Sequence, residues 1–183
     1  MQKSKNKLRR KFINIRGSLK GKKIKEEKLN INLKKIINPS YPAISLYYPV
    51  RSEVSLLNFA SYMHKNNHQI ALPEILRKKS HLHFRVWKKD DKLKMGKFNI
   101  LIPEKNLYIV PRVLLIPMVA FDKNKSRLGY GGGYYDRTIS FLQKNNNIIT
   151  IGIAFDEQES KKIPEMKYDK KMDVIVTQSR III

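Results

Sequence analysis

The chain has 183 residues, of which 42% are hydrophobic and 29% charged, which is ordinary for a globular protein and long enough for one domain over 1–183. It has no cysteine, which excludes disulfides, thiolate metal sites and a cysteine nucleophile. No secretory signal and no apolar run of about 20 residues is visible, so we expect a cytoplasmic protein without a membrane helix.

The net charge is +23, from 38 Lys and Arg against 15 Asp and Glu. Such an excess favours polyanionic partners, and an RNA-binding module is one alternative for this chain. The lysines are scattered, however, and no RNA-binding signature of the RNP or GXXG type is present. We therefore expect the lysine excess to be a compositional bias and expect no nucleic-acid partner. The resulting positive field would still attract small anions.

The first predicted element is a helix over residues 3–20, where apolar residues recur at three- and four-residue intervals. These residues are Leu8, Phe12, Ile15 and Leu19. Lys5, Arg9 and Arg16 fall together beside this stripe, so they are placed to lie at the rim of a cleft. Gly17 weakens the pattern, and the helix could end there.

The rest of the chain alternates strand and helix patterns. Ser52 is a plausible N-cap for one helix, and Asn38-Pro39 would end another. The predicted helices cover 23–37, 53–66 and 134–144. The predicted strands cover 43–48, 69–72, 81–87, 113–119, 148–155 and 174–177. The polar stretch from Lys88 to Lys97 is expected to be a connection, and Ile181–Ile183 a tail.

Apolar strands alternating with helices predict an α/β fold, a three-layer α/β/α sandwich with a mostly parallel sheet. The run 148–155 is almost continuously apolar, as expected of a strand covered on both faces. Ligands of such folds bind at the carboxyl ends of the strands. The glycine-rich loop that follows the apolar run 113–120 would lie at that edge.

That loop is Arg127-Leu-Gly-Tyr-Gly-Gly-Gly-Tyr-Tyr-Asp-Arg137, with four glycines within five positions. Glycine permits positive φ and close approach of a ligand, and the following helix adds a partial positive charge. Arg127 could clamp a phosphate, and Asp136 could hold Mg²⁺. The spacing fits neither G-x-x-x-x-G-K-[ST] nor G-x-G-x-x-G, so a plain loop is the alternative.

Val119-Ala-Phe-Asp122 followed by Arg127–Arg137 resembles the signature of the 5-formyltetrahydrofolate cyclo-ligase family. Other segments that resemble the family occur in its order. They are Lys5-x-x-Leu8-Arg9, Glu53-Val-Ser55, Ala154–Gln158, Ile163-Pro164 and Asp169-x-x-x-Asp173. The resemblance implies ATP- and Mg²⁺-dependent closure of 5-formyltetrahydrofolate to 5,10-methenyltetrahydrofolate, with release of ADP and phosphate, by a protein expected to be monomeric.

The resemblance also implies roles for individual residues. The implied ATP contacts are Lys5, Arg9, Arg127, Leu128, Gly129, Tyr130, Gly131, Gly132, Gly133, Tyr134 and Tyr135. The implied folate contacts are Tyr48, Glu53, Phe98, Tyr130, Gly131, Gly132, Gly133 and Tyr134. The implied metal ligands are Asp136, Asp169 and Asp173, with the choice between the last two open. Phe98 could equally be an ordinary core residue, and Tyr168 stands where the family commonly has histidine.

Two alternatives stay open. The four histidines form the pairs His64/His68 and His81/His83, neither with an evident third metal ligand, so exposed or helix-terminal roles are favoured. A relative with altered substrate specificity would retain the same sequence pattern.

Overall fold

The computed structural model describes residues 2–37 and 41–183; the predicted helix end at Asn38-Pro39 lies outside these ranges. The helices are α1 (Gln2–Gly17), α2 (Lys22–Ile36), α3 (Leu57–Lys65) and α4 (Tyr134–Leu142). The strands are β1 (Ala43–Ser45), β2 (Gln69–Glu74), β3 (His83–Trp87), β4 (Leu93–Met95), β5 (Leu101–Pro103), β6 (Val113–Pro117), β7 (Ala120–Phe121), β8 (Arg127–Leu128), β9 (Ile149–Ile153), β10 (Val174–Val176) and β11 (Ile181–Ile182).

Seven strands form one sheet in the order β11-β10-β9-β6-β1-β2-β3. The five central strands are parallel, and β11 and β3 are antiparallel edges. Val113 of β6 pairs with Ile44 on one side and with Ile149 on the other. The mostly parallel α/β sheet predicted from the apolar runs is therefore confirmed.

Helices cover both faces of this sheet because consecutive strand residues point to opposite sides. Leu115 of β6 packs with α2 and α3, whereas its neighbour Leu114 packs with Ile139 of α4. Every one of these side chains is at most 1% exposed. The predicted three-layer α/β/α arrangement is confirmed.

Helix α1 packs on a separate small cluster at the carboxyl edge of the sheet. Phe12 meets Val119, Leu128 and Ile163, which lie on or beside the short β7–β8 hairpin. This hairpin joins the end of β6 to the glycine loop and was not predicted. It brings the polar side of α1 against that loop, so α1 can contribute to a site there.

Three local predictions were wrong. The third helix begins at Leu57, because Arg51 and Ser52 adopt left-handed φ of 46° and 65° and turn the chain. The polar stretch contains β4, which forms a hairpin with β5, and the tail contains the edge strand β11. None of the helices in 2–37 and 41–183 is long and apolar enough to cross a membrane.

Candidate active site

A cleft of about 660 Å³ opens at the carboxyl ends of β1, β2 and β6. Its walls come from α1, the turn before α3, the β4–β5 hairpin and the glycine loop. The lining includes every residue predicted for ATP or folate, together with Asp136 and Asp169. Asp173 is the one predicted site residue outside it. The segments are far apart in sequence, and the fold brings them to one place.

The glycine loop has a backbone that side chains would hinder. Gly131 has φ of 98°, and a Cβ there would lie 3.2 Å from the Arg9 guanidinium carbon. Gly133 has φ of 65° and is the N-cap of α4, which has no side-chain cap. The first-turn amides of α4 and its partial positive charge therefore suit an anion.

Three cations line the end of the cleft beside this loop. Arg127 Nη2 donates to Asp136 Oδ1 at 2.5 Å, while its Nη1 is buried without a partner among the described residues. Arg9 Nε donates to the Gly129 carbonyl at 2.8 Å, and Lys5 pairs with Asp169. A buried guanidinium with an unused donor is a ready partner for a phosphate oxygen.

Asp136 and Asp169 each use only one carboxylate oxygen in the described residues. Asp136 Oδ1 accepts from Arg127 and from the Lys170 amide at 3.1 Å. Asp169 Oδ2 accepts from Lys5 and from the Met166 amide at 2.7 Å. Asp136 Oδ2 and Asp169 Oδ1 accept no hydrogen bond within 2–37 and 41–183. Two carboxylate oxygens on one cleft wall suit Mg²⁺, which prefers oxygen ligands.

Asp173 has a different environment. Its Oδ2 accepts from the Thr150 amide and hydroxyl, both at 2.8 Å, which ties the start of β10 to β9. The structure does not bring it together with Asp136. Within the described ranges, no three acidic or histidine side chains lie close enough to hold a metal unaided. A metal here would depend on oxygens of a bound ligand.

Glu53 marks a second end of the cleft. It is 4% exposed, and its Oε2 accepts from the Val50 amide at 3.0 Å. Burial raises the pKa of Glu53 above its ordinary value, and the Val50 hydrogen bond and the Arg16 charge oppose that rise. The apolar and aromatic lining of the cleft includes Tyr47, Tyr48, Leu82, Ile100, Ile102 and Pro117. This end suits a flat ring that donates hydrogen bonds.

Phe98 lies at the tip of the β4–β5 hairpin. It is 64% exposed, so it is not the core phenylalanine that the sequence left open. Its ring stands edge-on to Tyr134, with the centroids 6.0 Å apart. The two rings form an aromatic corner at the mouth of the cleft, where a planar ligand could pack.

The three tyrosines of the loop differ in environment. The Tyr130 ring lies near two cations, with the guanidinium carbons of Arg16 and Arg51 5.7 and 5.6 Å from its centroid. Burial raises the pKa of the Tyr135 hydroxyl above its ordinary value. Tyr134 faces the mouth. Both members of the adjacent pair Tyr134 and Tyr135 are partly buried and line the cleft.

Sequence reasoning missed several residues of the site. Arg16 is only 1% exposed and lies beneath the cleft, not at its rim as expected. Tyr47, Arg51 and Ile100 join the lining from segments with no recognisable motif. The histidines lie elsewhere: His81 stacks on Phe141 with the ring centroids 3.9 Å apart.

The fold and cleft define an α/β protein that has, at the carboxyl edge of its sheet, one cleft with a cationic glycine loop and a buried carboxylate. A sequence model of the 5-formyltetrahydrofolate cyclo-ligase family matches residues 1–178. This chain belongs to the 5-formyltetrahydrofolate cyclo-ligase family, and the resemblance seen in its motifs is thereby confirmed.

Individual relatives agree with this assignment. The 5-formyltetrahydrofolate cyclo-ligase of Haemophilus influenzae is 32% identical over 140 residues, which are 73% of this chain and 74% of that protein. The solved 5,10-methenyltetrahydrofolate synthetase of Mycoplasma pneumoniae is 26% identical with a TM-score of 0.78, covering 96% of this chain and 99% of the other. The corresponding Aquifex aeolicus synthetase is 27% identical with a TM-score of 0.81, covering 97% and 91%.

Proposed function

We propose that this protein uses ATP and Mg²⁺ to close 5-formyltetrahydrofolate to 5,10-methenyltetrahydrofolate, with release of ADP and phosphate. The observation that carries the proposal is the juxtaposition, in one cleft, of a cationic loop and a buried carboxylate. Arg127 has an unused buried donor at the first end, and Glu53 marks the second. Family membership supports the same activity.

The loop end supports a role in holding ATP phosphates. Lys5, Arg9 and Arg127 supply positive charge, and the uncapped start of α4 supplies backbone amides. Glycines let the phosphates approach the backbone closely. The enzyme would thus neutralise the charge that moves during phosphoryl transfer.

Asp136 and Asp169 would hold Mg²⁺, each through the carboxylate oxygen left open by its cationic partner. The remaining ligands would be phosphate oxygens and water, which is a normal shell for this ion. When bound, the ion would neutralise phosphate charge. The contacts of Asp173 with Thr150 support a structural role for that residue instead.

The second end supports binding of the folate ring. The Glu53 carboxylate can accept hydrogen bonds from a donor-rich pterin, and its burial makes such bonds strong. Phe98 and Tyr134 offer aromatic surface at the mouth, while Tyr48 lines the wall. Substrate orientation, more than a nucleophilic side chain, would be the contribution of these residues.

The proposed chemistry follows from these contacts. The formyl oxygen is a poor leaving group, so it first takes the γ-phosphoryl group of ATP and becomes an iminium phosphate. The folate N10 then attacks the formyl carbon and loses its proton, and the C–O bond breaks to release phosphate. Holding both substrates in one cleft makes each step intramolecular in effect.

We further propose that the protein acts as a cytoplasmic monomer on these two small molecules. The absence of cysteine is consistent with a reducing compartment.

The direct test is to mix the purified protein with 5-formyltetrahydrofolate, ATP and Mg²⁺ and to follow methenyltetrahydrofolate absorbance. We expect product that requires all three additions, with ADP and phosphate formed in equal amounts. Omission of ATP and addition of a chelator serve as controls. No product from protein that still binds ATP in a thermal-shift assay would contradict the proposed substrate.

A further inference from the structure

Arg16 is a fully buried cation whose hydrogen bonds go to neutral acceptors. Its Nη1 donates to the Met118 carbonyl at 3.0 Å and its Nη2 to the Arg51 carbonyl at 2.8 Å. Nη2 also donates to the Tyr130 hydroxyl. Its Nε is buried without a partner among the described residues, so the whole hydrogen bonding of this guanidinium rests on its two Nη atoms. Burying a charge is costly unless it is hydrogen-bonded, so these three contacts hold α1 in place.

The three acceptors belong to three separate segments, two of which, those of Arg51 and Tyr130, line the cleft. Met118 follows β6, Arg51 lies in the turn that carries Glu53, and Tyr130 belongs to the glycine loop. A guanidinium is planar and presents its donors in a fixed fork. One rigid group therefore sets the position of the loop relative to the turn.

Arg16 also acts on the charge of Glu53. The charged and titratable groups that face this carboxylate are Arg16, Lys22, Tyr47, Tyr130 and Tyr135. Arg16 and Lys22 are the cations among them, and both favour the ionised carboxylate. Tyr130 gives Arg16 a second, indirect link to Glu53, because its hydroxyl accepts from Arg16 and also acts on the Glu53 carboxylate.

We infer that Arg16 is a positioning residue that couples the two ends of the cleft: it fixes Tyr130 of the glycine loop against the turn of Glu53. The inference rests on the proposed function for its kinetic readout, but its geometry concerns this chain alone. Arg16 touches neither substrate in this scheme and acts through Tyr130 and Glu53.

Two substitutions separate the effect of the Arg16 charge from that of its planar set of donors. Arg16→Met removes both and should raise the KM for 5-formyltetrahydrofolate by about tenfold or more. In this variant the KM should also begin to rise at a higher pH than in wild type, since the Glu53 carboxylate loses a stabilising cation. Arg16→Lys keeps the charge and loses the fork, so KM should rise while the pH profile stays close to wild type.

Tyr130→Phe tests the coupling while leaving the Arg16 side chain itself in place. It removes the hydroxyl that accepts from Arg16 and should raise the folate KM by about threefold to tenfold. The folate KM of the double variant Arg16→Lys/Tyr130→Phe should be close to that of Arg16→Lys, because both changes break the same hydrogen bond between Arg16 and Tyr130. Arg10→Met, on the exposed side of α1, is the matched control and should behave as wild type.

Additive losses in the double variant would overturn the coupling, as would a folded Arg16→Met protein with wild-type KM and pH profile. If Arg16→Met does not fold, the lysine and phenylalanine variants decide. If wild type makes no methenyl product, the proposed function fails by itself. Amide hydrogen exchange of residues 129–133 then decides the inference: we expect faster exchange in Arg16→Lys, and unchanged exchange would overturn it.

Discussion

The two ends of the cleft are built in different ways. The phosphate end is dominated by one continuous segment, Arg127 to Asp136, whose backbone turns and helix start provide much of the surface. The ring end is assembled from side chains of separate segments, including Glu53, Phe98 and Ile100. Backbone recognition depends on local conformation, whereas the ring end depends on how distant segments pack.

This difference predicts how the ends respond to mutation. Under the proposed function, changes to Arg127 and to the glycines of the loop should act mainly on ATP, because these groups would meet the phosphates directly. Tyr130 is the exception, since its hydroxyl accepts a hydrogen bond from Arg16 and links the loop to the turn of Glu53. Under the same proposal, changes in the ring end should act mainly on folate, because the pterin would meet side chains there.

Arg127→Met should have the largest effect, about 10²–10³-fold in kcat/KM for ATP, as expected when a preorganised charge is removed. The buried guanidinium and its unused donor cannot be replaced by a neutral side chain. Steady-state kinetics with varied ATP measures this. Arg77→Met, an exposed arginine outside the cleft lining, is the control, and equal losses in the two variants would contradict a specific role.

Asp136→Asn should raise the Mg²⁺ concentration needed for half-maximal rate by about tenfold to a hundredfold, since a neutral amide is a poor ligand for a hard cation. Asp173→Asn provides the matched comparison. It should leave the Mg²⁺ dependence unchanged and lower Tm by a few degrees, because it weakens the bonds to Thr150. Mg²⁺ titrations and thermal melts separate the two, and a reversed result would exchange their roles.

Glu53→Gln should raise the folate KM about tenfold to a hundredfold and leave the ATP KM nearly unchanged, as expected for loss of charged hydrogen bonds. Burial raises the pKa of Glu53, so in wild type protonation begins at a higher pH than for an exposed glutamate. The folate KM of wild type should therefore rise as pH falls through that raised pKa, whereas the variant should lack this rise. A pH series for both proteins measures this, and the same dependence of KM on pH in the two would contradict it.

Gly131→Ala should raise the ATP KM about tenfold, because a Cβ is strained at positive φ and crowds Arg9. Gly17→Ala, outside the cleft lining, is the matched control, since a Cβ there meets nothing within 4 Å. It should change the ATP KM less than about twofold. Equal effects of the two alanines would show that the loop tolerates side chains and that its conformation does not set phosphate binding.

The same contrast explains how much the sequence could predict. The glycine loop and α4 were identified from residues 127–144 alone, because helix start, glycines and charges are neighbours in the chain. The parallel sheet was likewise readable from apolar runs such as 148–155. Signals of this kind are local and need no knowledge of packing.

Other features depend on contacts between distant segments. Ser52 is a good N-cap by type, yet the left-handed turn at Arg51 and Ser52 delays α3 to Leu57. The sequence could not decide whether Asp169 or Asp173 is the second metal ligand. The structure distinguishes them by their partners, which are Lys5 for Asp169 and Thr150 for Asp173. Arg16 belonged to a basic stripe, and its burial follows from packing of α1 on the β7–β8 hairpin.

The most direct test of the two-ended cleft is a steady-state matrix in which ATP and 5-formyltetrahydrofolate are varied together for wild type, Arg127→Met and Glu53→Gln. We expect ATP-dependent methenyl formation by wild type, an ATP-side defect in Arg127→Met and a folate-side defect in Glu53→Gln. Equal loss toward both substrates in both variants, or wild-type turnover that does not need ATP, would contradict this account.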